Sequence, residues 1–104
     1  MLTDFVKVAE VGDLKDGEMR LVEIGEDRIV VARVGQSYLA FNDECTHAWG
    51  SLSDGELEGE HVTCPLHGSV FDIRTGEVIE DPAGEPIKVY PVTVEGSAVL
   101  VGVG

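Results

Sequence analysis

Both cysteines, all three histidines and the only tryptophan lie between Asn42 and Ala83. They fall in two short motifs. Cys45-Thr46-His47 comes first, and sixteen residues separate it from Cys64-Pro65-Leu66-His67. Each motif offers one thiolate and one imidazole, so two loops could grip one centre from opposite sides. Three chemistries use such a set. A Cys45–Cys64 disulfide is disfavoured in a reducing compartment and leaves the paired histidines without a reason. A mononuclear zinc site accepts two cysteines and two histidines, but the Cys-His, Cys-His order differs from that of the common finger. The third is a [2Fe-2S] cluster with two cysteines on one iron and two histidines on the other.

The elements that must position these motifs read as β-strands. The chain has 104 residues, enough for one domain with a modest core. Thirteen glycines, dispersed among short apolar runs, suggest a turn-rich all-β protein. Strands are expected over 5–9, 20–24, 28–34 and 37–41, with a loop over 10–17 that could hold a helical turn at Leu14. Shorter strands are expected over 61–63, 70–73 and 77–79. A closing hairpin is expected from 87–94 and 98–101, with Pro91 marking an edge or a bulge. The reading is a single domain over 1–104, with a base subdomain from 1–41 and 84–104 and a small inserted subdomain over 42–83. No run approaches eighteen apolar residues, so no membrane helix is expected, and the start lacks the basic and apolar regions of a secretory signal. Cytoplasmic residence is the expectation.

Charge is lopsided. Seven basic residues against twenty acidic ones leave a net charge of −13. That excludes nucleic acid and anionic membranes as natural partners and favours a partner with a basic face. The asymmetry is greatest over 42–83, where ten acids face one base, Arg74. Asp54, Glu56, Glu58 and Glu60 alternate, as on the solvated side of a strand. His61, beside three acids, reads as a surface strand residue and not as a ligand.

Over most of its length the sequence resembles the Rieske family. The likeness rests on Cys45-Thr46-His47, Leu52-Ser53-Asp54-Gly55, the run Cys64-Pro65-Leu66-His67-Gly68-Ser69-Val70-Phe71-Asp72, Arg74-Thr75-Gly76 and Asp81-Pro82-Ala83. It implies the Rieske fold, an antiparallel sandwich or barrel-like base with an inserted cluster-binding subdomain. It also implies one [2Fe-2S] cluster held by Cys45, His47, Cys64 and His67, with the cysteines on the inner iron and the histidines on the outer iron, near solvent. Pro65 would stiffen the second ligand loop. Gly50, Gly55, Gly59 and Gly68 would allow tight turns and close backbone approach to the sulfides. Ser69 and Gly68 are expected to hydrogen-bond the cluster, and Pro82 and Trp49 to shield it. The two thiolates offset the charge of the oxidised core, so reduction adds one buried negative charge. Imidazole ligation couples that charge to protons, and the potential is expected to fall with pH only above the histidine pKa values of the oxidised state.

Respiratory and photosynthetic Rieske proteins carry an extra cysteine in each ligand loop and a tyrosine that donates to a cluster sulfur. Here Ala48-Trp49-Gly50 and Leu66 hold no cysteine, and Phe71 stands at the tyrosine position. The potential is therefore expected near the low end of the Rieske range, about −150 mV rather than about +300 mV. The chain looks like a soluble Rieske-type ferredoxin of bacterial ring-hydroxylating oxygenases, a carrier and not itself an enzyme. The resemblance implies an NAD(P)H-dependent flavin reductase and a terminal oxygenase as partners, with no organic substrate bound directly. Asp43, Glu44, Trp49, Leu66 and Asp81 are the candidate docking residues. The alternative is a small Rieske-type subunit of an assimilatory nitrite reductase.

Overall fold

A computed structural model describes residues 4–46, 50–66, 68–80 and 85–103. Among the described residues there is no α-helix; the chain builds three antiparallel sheets. The first has the order β1 (Asp4–Glu10), β11 (Ala98–Val103), β10 (Val92–Glu95). The second runs β2 (Met19–Ile24), β3 (Asp27–Val34), β4 (Ser37–Asn42), β9 (Val89–Tyr90). The third runs β5 (Glu56–Glu58), β6 (His61–Thr63), β7 (Val70–Asp72), β8 (Val78–Glu80) and is continuous in sequence.

The second sheet is the middle layer, and the period of two explains how. Alternate side chains of a strand point to opposite faces. On β3, Ile29 and Val31 pack with Ala9, Val99 and Val101 of the first sheet. Val30 and Ala32 turn the other way and pack with Val62 and Phe71 of the third. Ala40 and Phe41 of β4 divide in the same manner. A continuous apolar run from Ile29 to Ala32 is what burial on both faces requires.

Two local expectations differ from the structure. No helical turn forms at Leu14; the segment is a run of turns that buries the leucine beside Val31 and Ala40. The expected strand over 87–94 is two strands in two sheets. Pro91 has no N–H for a ladder and sits at the switch, with β9 pairing β4 before it and β10 pairing β11 after it. Its carbonyl still accepts from the Gly102 N–H at 2.8 Å.

The β7–β8 connection shows how the third sheet is pinned. Asp72 Oδ1 accepts from the Arg74 N–H, and the Gly76 N–H donates to the Asp72 carbonyl. Arg74 reaches across to Glu60 Oε2, with Nε at 3.0 Å and Nη2 at 2.6 Å. The Arg74 hydrogen bond holds the Glu60 carboxyl below its ordinary value. A depressed folded-state pKa gives stability above the unfolded value, about 4.3, that is lost as pH falls through the folded one. Glu60→Gln is thus expected to melt slightly below the wild type at neutral pH, with the gap closing below about pH 4. The effect is small because the pair is exposed, and thermal melts across that range would read it.

Candidate metal centre

The two cysteines lie at the heads of two loops built alike. The first leaves the end of β4 and returns at Ser51. An isolated bridge pairs Glu44 with Ser51, and the Cys45 N–H donates to the Gly50 carbonyl at 3.0 Å. The second joins β6 to β7. There the Cys64 N–H donates to the Ser69 carbonyl at 2.8 Å, and Gly68 turns the chain with φ +78. Each loop thus spans six residues from a cysteine to the residue that closes it.

The loops touch. A Cβ built on Gly50 would fall 3.2 Å from Cys64 Sγ and 3.2 Å from the Leu66 side chain, so the absence of a side chain there lets the loops approach. Both thiols are 2 % exposed, share one core with Leu52, Val62 and Phe71, and form no disulfide. A disulfide is thereby removed from the three chemistries. Two buried thiols on facing loops fit the inner side of an iron–sulfur group.

His47, Trp49, His67, Asp81 and Pro82 lie outside the described residues. Among the described residues no three metal-ligating side chains converge. His61 is exposed in β6, opposite Glu58 on one side and Asp72 on the other, a surface position. Ser69 is fully buried. Phe71 is also fully buried, between Val62 and Val78, and presents no hydroxyl. Leu66 is 54 % exposed beside the loop contact, and Glu44 is exposed at the first loop's root.

Asp43 differs from expectation. It is 1 % exposed, so it cannot contribute to a docking surface. Its carboxylate accepts from Ser51 Oγ, from the Ser53 N–H at 2.8 Å and from Arg28 Nη2 at 3.3 Å. Burial works against the charged form, but these donors outweigh it and hold the carboxyl below its ordinary value. No local sequence signal marks this arrangement, since its donors are brought together by the fold. Sequence reasoning also gives Thr46 no role, yet its hydroxyl donates to the Glu85 carbonyl at 2.7 Å, tying the Cys45 loop to the segment that leads into β9.

Comparison with known proteins bears on the whole chain. Residues 4–91 match the Rieske [2Fe-2S] domain family. The ferredoxin component of biphenyl 2,3-dioxygenase from Rhodococcus jostii is 42% identical over 95 residues, covering 91% of this chain and 89% of that protein. The ferredoxin of carbazole 1,9a-dioxygenase from Nocardioides aromaticivorans superposes with a TM-score of 0.89 at 35% identity, covering 93% of this chain and 95% of the other. A chain from a complex of reduced oxygenase and oxidised ferredoxin in carbazole 1,9a-dioxygenase matches with a TM-score of 0.89 at 37% identity, covering 92% and 99%.

Proposed function

The chain belongs to the Rieske [2Fe-2S] domain family and carries one Rieske-type cluster, and we propose that it is a cytoplasmic one-electron carrier between an NAD(P)H-dependent flavin reductase and a terminal ring-hydroxylating oxygenase. The carrying observation is the pair of buried cysteines heading two matched loops, in a chain similar over nine-tenths of its length to a dioxygenase ferredoxin component. Cys45 and Cys64 would hold one iron, His47 and His67 the other. When bound, the cluster supplies a single reversible electron.

The rest is done by the chain's own residues. The buried thiols exclude water from the inner side. The Cys45–Gly50 and Cys64–Ser69 backbone bonds fix both loops. Phe71 offers no hydroxyl to stabilise added negative charge, which supports a potential toward the low end, about −150 mV. Leu66 and Glu44, with Trp49 and Asp81, would meet the partner.

A redox titration followed by electron paramagnetic resonance tests the reading. A Rieske-type signal appearing only at low potential supports it; a signal already present at clearly positive potential overturns the oxygenase assignment. Co-purification of a sirohaem-bearing subunit would favour the nitrite reductase alternative.

Docking by an acidic carrier should weaken with salt. Glu44→Lys combined with Asp81→Lys is expected to slow partner reduction about tenfold at low salt and far less at high salt. Equal rates for the variant and wild type at low salt would remove these two residues from the interface.

A further inference from the structure

We infer that Asp43 is the positioning residue of the first ligand loop, a buried carboxylate that locks the loop's two ends together where no covalent cross-link is available. The inference rests on the assignment of Cys45 and His47 as ligands. The chain has two cysteines, and both head the ligand loops, so neither can brace them.

The bonds of Asp43 converge on the root of the loop. Its N–H donates to the Arg28 carbonyl on β3 at 2.9 Å, and its carbonyl accepts from the Leu52 N–H at 2.7 Å. Its carboxylate takes Ser51 Oγ and the Ser53 N–H on the returning side and Arg28 Nη2 from β3. One residue thus ties the outgoing strand end, the returning segment and the middle sheet. The Glu44–Ser51 bridge and the Cys45–Gly50 bond lead from this knot to Cys45. Asn42 adds a shorter tie from the same strand end, its Oδ1 accepting from the Glu44 N–H at 2.9 Å.

Hydrogen bonds to a buried charged group are among the stronger ones, and removing the acceptor strands its donors. Outer partners that orient metal ligands typically contribute about ten- to hundredfold in metal affinity. Asp43 acts through the loop and not on a ligand directly, which places it at the low end of that range. A carboxamide of the same shape keeps two of the three side-chain bonds: its oxygen can take the Ser53 N–H, and its NH₂ can donate to Ser51 Oγ.

The test uses the cluster-loaded protein, with cluster bleaching, paramagnetic resonance line shape and reduction midpoint as readouts. Asp43→Ala is expected to bleach about tenfold faster, with altered g-values and a displaced midpoint. Asp43→Asn should restore the line shape and bring the bleaching rate to within about twofold of wild type. Ser51→Ala, a milder cut, should bleach about threefold faster and decides the matter if Asp43→Ala does not fold. Asp54→Asn, an exposed acid in the next turn, should match wild type. A residue that merely stabilised the fold would lower the melting temperature and leave g-values and midpoint unmoved. That pattern in Asp43→Ala, or wild-type readouts in Ser51→Ala where Asp43→Ala does not fold, overturns the inference. Wild-type protein with no Rieske-type signal would instead overturn the ligand assignment on which it stands.

Discussion

Cys64→Ser is expected to yield a colourless protein with no Rieske-type paramagnetic signal and no acid-labile sulfide, while its circular dichroism stays that of a folded β protein. The two effects separate because the proposal gives Cys64 two roles. As a core residue it sits among Leu52, Val62 and Phe71, and the smaller hydroxyl costs only the burial of a weakly paired polar group, about 1–3 kcal/mol. As the proposed ligand it would supply a thiolate that serine does not replace, since a serine hydroxyl does not ionise near neutral pH and is a harder donor than iron–sulfur chemistry accepts. Cys45→Ser should behave alike. His61→Ala supplies the contrast: His61 is exposed in β6 with carboxylates opposite, and its loss should leave colour and signal intact. A full signal in Cys64→Ser would sink the ligand assignment, and zinc in place of iron and sulfide would revive the mononuclear reading.

Much of the proposed site is legible in the sequence, because ligand chemistry is local. A thiol and an imidazole two or three residues apart, repeated once, narrow the possibilities to very few centres. The meander of β2, β3 and β4 was legible for a related reason: strand periodicity and glycine turns are written in consecutive residues. What escaped depends on distant partners. Asp43 reads as one more acid in an acidic stretch; only the return of the chain to Ser51 and Ser53, and the reach of Arg28 from β3, turn it inward. A charged residue is expected outside unless paired, and the pairing is tertiary. Pro91 signals an edge or a bulge, but that the chain changes sheets there depends on β9 pairing β4 before it and β10 pairing β11 after it. The run from Ile29 to Ala32 signals burial on both faces, yet not which layers do the covering.

The distribution of charge follows the same division between local and tertiary. Of the acids over 42–83, Asp43 is internal and Glu60 is engaged by Arg74. Asp54, Glu56, Glu58, Glu77 and Glu80 are exposed. Alternation on β5 keeps Glu56 and Glu58 outward while Leu57 packs inward against the core shared with the cysteines. The acidity that would steer a basic partner is thus laid over the layer that packs against both cysteines.

Gly55→Ala is expected to be strongly damaging to this layer. The backbone of Gly55 is extended, with φ −86 and ψ −161, a conformation open to any residue, so flexibility is not the reason for glycine. The reason is contact. A Cβ there would lie 1.9 Å from the Thr63 carbonyl oxygen and 3.2 Å from that of Leu52. Both obstacles are backbone and cannot rotate away. Relief requires moving the end of the Leu52–Asp54 turn, whose carbonyl at Leu52 accepts from the Gly55 N–H at 3.0 Å, or moving β6 at the residue before Cys64. Overpacking of this kind costs about 3 kcal/mol or more, a fall in melting temperature of about 10 °C or more in a domain of this size. Because the displaced strand carries Cys64, cluster occupancy should fall as well, even at temperatures where the variant remains folded. Gly59→Ala isolates the packing effect. Gly59 turns between β5 and β6 with φ +58 and has open space where a Cβ would go, so alanine there incurs only backbone strain, about 1–2 kcal/mol. Thermal unfolding of the two variants side by side checks the argument. If Gly55→Ala melted no lower than Gly59→Ala, the close approach of the Leu52–Asp54 turn to β6 would not be what holds the Cys64 loop in place.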